Sequence, residues 1–232
     1  MCGVVGAIII KPTEADLKQV VDVMLNMQIR GQHATGVSWV KDDIVHTKKE
    51  PVPGTEFWKG LDPKTLLNED GNLYMIGHVR YSTSDLRYNQ PIGEGELAIA
   101  HNGVITQEPP ETWEKTFGYK CETSNDSELI YQHAVQGTDT AFEKFPDSSM
   151  AVTWVGKAKF VGAFRNHARP LATVNIVNGV VFASTVDALE RSGLTGGNMV
   201  PQYVNFVCQV EDDKILTVCH PRKELHKDLQ EM

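Results

Sequence analysis

Apolar residues run almost without a break from Val4 to Ile10, which predicts a buried strand over 2–10. From Glu14 to about Gln28 the pattern changes. Leu17, Val20, Val21, Met24 and Leu25 recur at helical spacing, predicting one amphipathic helix with a glycine stop at Arg30-Gly31. Strands are expected over 35–40 and 43–48, joined as a hairpin through Lys41-Asp42. Between Pro51 and Gly71 the texture is Pro, Gly and charge around Phe57-Trp58 and Leu66-Leu67, a loop with one or two helical turns. Strands resume over 73–80 and 97–101, separated by a polar segment from Ser82 to Glu96 whose length marks a functional or mobile loop.

Asn125 with Glu128 three residues on reads as a capping box opening a helix to about Val135, and a second helix is expected over 139–145. Strands follow near 149–155, 158–164, 172–177 and 179–184, then a short helix over 185–191 and strands near 203–210 and 214–219. Strands dominate both ends and helices lie between them. That order favours two packed sheets with helices outside over a doubly wound parallel sheet.

Composition narrows the function classes. With 41% hydrophobic and 22% charged residues, the 232-residue chain has the makings of one large domain with a substantial core. A net charge of −8 argues against a nucleic-acid partner, and the basic runs HTKKE and HPRKELHK both contain acids. The Val4–Ile10 stretch is too short to span a bilayer and has no basic flank of a signal peptide, so no membrane association and a cytoplasmic location are expected. In that compartment the glycosylation-like Asn125-Asp126-Ser127 goes unused. Cysteines 2, 121, 208 and 219 show no paired spacing and are expected as free thiols, with Cys208 and Cys219 as small buried hydrophobes in apolar alternating runs. Histidines are scattered without ligand spacing and no phosphate-binding glycine loop occurs, so neither metal nor cofactor is expected.

Cys2 is the oddity. Directly behind Met1 and ahead of an apolar strand, it becomes, once Met1 is removed, both a thiol and a free α-amine. The reference pKa values are about 7.7–8.0 for the amine and about 8.5 for the thiol, so near neutrality the amine can take the thiol proton. A buried structural thiol is the bland alternative. Three further segments bear on the choice: GHVRYST (77–83) ends a strand with Arg80, AHNGVI (100–105) ends another with Asn102-Gly103, and SNDSELI (124–130) puts Asp126 at a helix start.

In order and spacing, MCGVVG, RGQHATG (30–36), GHVRYST, AHNGVI, SNDSELI, FRNHARPLA (164–172) and FAST (182–185) resemble the glutaminase domain of class II glutamine amidotransferases, the N-terminal-nucleophile family of amidophosphoribosyltransferase and glucosamine-6-phosphate synthase. The resemblance covers essentially the whole chain. It implies an α+β fold, a four-layer αββα sandwich of two mainly antiparallel sheets, as one domain over 1–232 with a core over about 2–220 and a tail over 221–232. It also implies hydrolysis of L-glutamine to glutamate and ammonia through a cysteinyl thioester. Cys2 would be the nucleophile; Asn102, through its amide, and Gly103, through its backbone N–H, would form the oxyanion hole. Arg80 would grip the α-carboxylate, with Thr83 completing that pocket, and Asp126 would hold the α-ammonium. Arg30 resembles a family residue near the nucleophile. His78 and His101 flank these motifs and are read as structural, because the family base is the amine of Cys2.

Each residue also has a plain structural role open to it. Arg80 could form a strand-end ion pair, Asp126 could cap its helix, and Asn102-Gly103 is a hairpin-turn dipeptide. Departures from the family pattern are Ser84-Asp85-Leu86 after RYST, Asn166-His167 where Asp-Pro is usual, and Thr185 where an acid is frequent. As the likeness ends about where the glutaminase does, the expectation is either a separate ammonia-accepting synthase subunit or simple hydrolysis of glutamine. Alternatives are an amidase for another amide and a catalytically silent module that binds glutamine or docks on a synthase.

Overall fold

The computed structural model describes residues 2–81, 89–137 and 141–221. Strands β1 (Gly3–Ile9), β2 (Ala34–Lys41), β3 (Ile44–Glu50), β4 (Leu73–Arg80), β8 (Ala172–Ile176), β9 (Gly179–Ala183) and β10 (Asn198–Met199) form a seven-stranded sheet in the order β10-β8-β9-β1-β4-β2-β3. Strands β5 (Leu97–Val104), β6 (Ser149–Gly156), β7 (Phe160–Arg165), β11 (Val204–Glu211) and β12 (Lys214–Pro221) form a second, in the order β12-β11-β7-β6-β5. All pairings within both are antiparallel.

Period-two alternation sorts the side chains into layers. On β1, Val5, Ala7 and Ile9 face a core shared with α1 (Glu14–Met27) and α6 (Val186–Arg191). Val4 and Ile8 face the other way and meet Ala98, Ala100, Ala151 and Ala163 of the second sheet. Small alanines on that side let the two sheets approach closely, and Thr153 Oγ1 donates to the Val5 carbonyl at 3.1 Å across the gap. The outer face of the second sheet, with Ile99, Met150, Val152 and Trp154, is covered by α3 (Trp113–Phe117), α4 (Ser127–Gln136) and α5 (Ala141–Lys144). The result is the expected αββα sandwich.

Local sequence explains most element ends. Thr13 and Asp16 close a reciprocal capping box on α1, which buries Leu17, Val20, Val23, Met24 and Met27; Val21 and Leu25 of the expected stripe are only half-buried. The glycine stop is not formed. After Met27 the chain tightens into a 3-10 turn, Gln28–Arg30, and Gly31 is extended. The first hairpin turns through Asp42-Asp43, both at positive φ, one residue later than expected. Short α2 (Gly54–Phe57) supplies a helical turn in the 51–71 loop. β5 runs three residues further than its apolar pattern, so Asn102-Gly103 lie inside a paired strand and not in a turn. Cys208 is buried as expected, whereas Cys219 is exposed because β12 is an edge strand.

Candidate active site

The start of β1, the ends of β4, β5 and β7 and the start of β6 meet at one end of the sandwich, together with the N-terminus of α4. Gly3 pairs with Val79, so the residue before one and the residue after the other, Cys2 and Arg80, sit side by side across the ladder. Cys2, Arg80, Gly103 and Asp126 line one cleft of about 460 Å³. Arg30 and Asn102 adjoin it without lining its wall. Thr83 and the departure at 84–86 lie outside the described residues.

Arg30 is fixed by its turn. A Cβ on Gly31 would lie 2.2 Å from the carbonyl carbon of Arg80, so only glycine lets this turn seat on the end of β4. From there Arg30 Nε donates to the Cys2 carbonyl at 2.9 Å. Burial lowers the pKa of its guanidinium, the nearby Cys2 opposes that shift, and the like charge of Arg169 adds to it.

Arg80 is buried at the end of β4, and its Nη1 donates to Asn89 Oδ1 at 2.8 Å. The next residue, Gln90, ties three elements together. Its Oε1 accepts from the His101 backbone N–H at 2.7 Å, and its Nε2 donates to Ser127 Oγ at 3.0 Å. His101 Nε2 faces the Ser149 carbonyl at 3.2 Å, which can only accept, so that nitrogen carries the proton and Nδ1 accepts from the Ser127 hydroxyl at 2.8 Å. Both ring nitrogens are therefore engaged, and burial pushes the imidazole pKa down. His78, inside β4, is held neutral as well: burial, with the charge of Arg80, pushes it down to about 3. His101 lines the cleft with both ring nitrogens taken, and His78 does not line it, so neither is arranged as a base there.

Gly103 has φ +155°, and a Cβ there would fall 1.8 Å from the Ser149 carbonyl oxygen, so this step of β5 excludes every other residue. Asn102 beside it is buried, and its Nδ2 has no hydrogen-bond partner among the described residues. An amide donor kept dry and unpaired is costly and calls for a reason.

Asp126 occupies the N-cap position of α4 but makes no side-chain cap. Its Oδ2 instead accepts from the Ile105 backbone N–H at 2.6 Å, tying the exit of β5 to the helix start. The expected capping box is likewise absent. Asn125 Oδ1 accepts from Ser127 N at 3.1 Å, while the Glu128 carboxylate turns back to the N–H groups of Glu122 and Thr123, each at 2.7 Å. A glutamate three residues past Asn125 was the right signal for a clasp, pointed at the wrong backbone.

Sequence reasoning left four residues here without a role. Gln90 and Ser127 sit in segments already singled out, and only the fold reveals that they hold His101. Asn89 engages Arg80. Arg169, from the FRNHARPLA segment, lines the same cleft as Asp126 and Glu108, with no carboxylate within 4 Å of it among the described residues. Asn166, one of the departures, is buried and bonds Met150 N and Ala168 N through Oδ1 (3.1 Å each) and the Ser148 carbonyl through Nδ2 (2.7 Å). Thr185, another departure, caps α6 through Ala188 N at 3.3 Å. Among the described residues, no group of three or more His, Cys, Asp or Glu side chains converges as a metal site, and no helix is long and apolar enough to cross a membrane.

No protein-family model matches the chain. Among curated proteins it is 35% identical to an amidophosphoribosyltransferase of Pyrococcus horikoshii over 135 residues, 56% of this chain and 28% of that protein. It is 27% identical over 136 residues to a glutamine–fructose-6-phosphate aminotransferase (isomerizing) of Clostridium tetani, covering 21% of it. Over that part of its length the chain is similar to these glutamine-using transferases. The glutamine PRPP amidotransferase of B. subtilis, complexed with ADP and GMP, superposes with a TM-score of 0.73 at 20% identity, covering 94% of this chain and 49% of that one. The structure of the allosteric regulatory enzyme of purine biosynthesis gives a TM-score of 0.71 at 21% identity, covering 94% of this chain and 48% of that one. These likenesses establish the fold. The chain spans a quarter or so of the length of the curated amidotransferases it matches and about half that of the structural neighbours.

Proposed function

We propose that this chain is a glutaminase module that releases ammonia from L-glutamine, with residues 2–220 acting as one domain. The reading rests on a single observation: a half-buried thiol, a buried guanidinium, a glycine only glycine can replace and a helix-start carboxylate share one cleft, in the order that class II glutamine amidotransferases use. Free glutamine is a zwitterion. Arg80 offers its α-carboxylate a planar fork, and Asp126 offers its α-ammonium a negative charge.

With Met1 removed, the Cys2 amine takes the thiol proton and the sulfur attacks the side-chain amide carbon. The C=O electrons move onto oxygen, where the Asn102 amide and the Gly103 N–H donate to the developing anion. An unpaired Nδ2 on Asn102 supports this, since its partner exists only during reaction. Collapse of the tetrahedral species breaks the C–N bond, and the nitrogen leaves as ammonia carrying the proton held by the amine. Water, losing a proton to the same amine, then attacks the thioester, and glutamate departs as the thiol re-forms. The ammonia passes to a separate acceptor or synthase subunit.

The test is glutamate release by purified protein whose loss of Met1 is verified by intact mass, with Cys2→Ala as control. Glutamine binding without release would mark a silent binding module. Turnover of a different amide that persists in Arg80 and Asp126 variants would mark another amidase.

A further inference from the structure

The segment between β7 and β8 carries two arginines in contrasting states. Arg165 is satisfied: its Nε donates to the Val200 carbonyl at 2.6 Å, and its Nη1 lies 3.5 Å from the carbonyls of Asn166 and Arg169. Arg169 is not. Its Nε is buried without a hydrogen-bond partner, its Nη1 reaches only the Ala168 carbonyl at 3.4 Å, and no carboxylate lies within 4 Å of it among the described residues.

Its place in the fold is equally specific. Arg169 lines the Cys2 cleft and also a larger neighbouring cleft of about 920 Å³, the two sharing Val104, Thr106, Gln107 and Glu108. That volume lies within the range of small-molecule sites. Its walls combine apolar Phe117, Phe145 and Pro146 with basic Lys144 and His167. Of the acids on the same wall, Glu108 is occupied by the hydroxyls of Thr112 (3.1 Å) and Thr116 (2.7 Å), and Asp147 is exposed to solvent. The charge of Arg169 is also felt at Arg30 and at His101. A guanidinium held near another cation, partly dry and without a counter-ion, is a planar fork waiting for an oxyanion.

We infer that Arg169 forms an oxyanion-binding subsite at the junction of the two clefts, taking the phosphate or carboxylate group of a small molecule whose body lies in the larger cleft. The subsite is separate from the glutamine clamp and stands whether or not the chain hydrolyses glutamine. On the glutaminase reading, its ligand sits beside the point of ammonia release.

The experiment titrates the full chain at low ionic strength with inorganic phosphate and, in parallel, with acetate, by calorimetry. Arg169→Gln and the surface control Arg191→Gln are measured alongside. The expected result is binding of at least one anion by the unsubstituted protein, weakened at least about tenfold in Arg169→Gln and unchanged in Arg191→Gln. Preference for phosphate assigns a phosphoester ligand, and preference for acetate a carboxylate one. If Arg169→Gln does not fold, Arg169→Lys keeps the charge but loses Nε, and the same weakening is expected. Equal binding by the Arg169 variant, or no binding of either anion by the parent up to about 10 mM, overturns the proposal. Repeating the titration on Cys2→Ala with saturating glutamine separates the two readings. Complete displacement of the anion by glutamine would place Arg169 in the glutamine clamp and overturn the subsite, whereas failure of this variant to bind glutamine defeats the glutaminase reading and leaves the subsite intact.

Discussion

Arg30 Nε donates to the carbonyl oxygen of Cys2 at 2.9 Å, across 28 residues of sequence. This bond fixes the first peptide of the described chain from outside its own strand, so the sulfur inherits its position from a guanidinium seated on β4. Arg30→Met removes the donor and keeps the stem. Glutamate release is expected to fall at least about tenfold, while stability changes by about 1–3 kcal/mol, the worth of one charge-assisted hydrogen bond. Steady-state kinetics and urea unfolding on one sample check both.

Asp126 performs two tasks that one substitution separates. In Asp126→Asn the side-chain oxygen can still accept from Ile105 N, but the negative charge is gone. The midpoint of unfolding should move little, and KM for glutamine should rise by about 10–100-fold, the loss of about 1.4–2.7 kcal/mol of binding. An unchanged KM would remove Asp126 from the ammonium site.

Gly103→Ala places a methyl group 1.8 Å from the Ser149 oxygen at a φ that side chains avoid. The two sheet strands must part to admit it. A destabilisation of at least about 2–3 kcal/mol is expected from backbone strain and lost β5–β6 bonds, measured by denaturant unfolding.

Two buried histidines set a pH dependence. His78 is pushed down to about 3 and His101 is pushed down by burial, whereas both protonate near 6.5 when unfolded. Below pH 6.5 the unfolded chain binds protons that the folded chain refuses, so their contribution is complete above 6.5 and is lost as pH falls toward 3. The slope approaches about 1.4 kcal/mol per pH unit for each histidine. Urea midpoints between pH 7.5 and 5, above the titration of ordinary carboxylates, should fall accordingly, and less steeply in a folded His78→Gln variant.

Thiol labelling discriminates among the cysteines. Burial, with the Glu128 charge, pushes the Cys121 thiol up to about 11; burial also raises Cys208 and Cys219. At pH 8 a thiol near 11 is about 0.1% thiolate, and Cys2 is the one cysteine that lines the described cleft. Peptide mapping after brief iodoacetamide treatment should find Cys2 modified first. Earlier modification of exposed Cys219 would contradict this.

The layers were legible because each core strand carries one face per alternate residue: Val4 and Ile8 announce one core, Val5 and Ile9 the other. Motif order was enough to gather Cys2, Arg80, Gly103 and Asp126, because a strand end places its residue at the rim of the sheet whatever the neighbouring side chains do. Partnerships were not legible. Glu128 bonds backward to a loop, and Gln90 reaches His101 and Ser127 through contacts that no local periodicity encodes. The end of β5 was misjudged for a related reason: Asn102 and Gly103 look like turn residues, and only pairing with Ala151 and Met150 keeps them in the strand. Arg169 went unassigned because what sets it apart is the lack of a partner, which a sequence does not record.

Every residue of β1 is buried, and the strand is gripped on both edges by β4 and β9. The sulfur is thus located by counting outward from the middle of the protein. A peptide fused ahead of Cys2 would leave the scaffold undisturbed yet, on the proposed mechanism, cap the very nitrogen that must move a proton. Preparations carrying an amino-terminal tag would then be well folded and inert, and their activity would return on cleavage back to the cysteine.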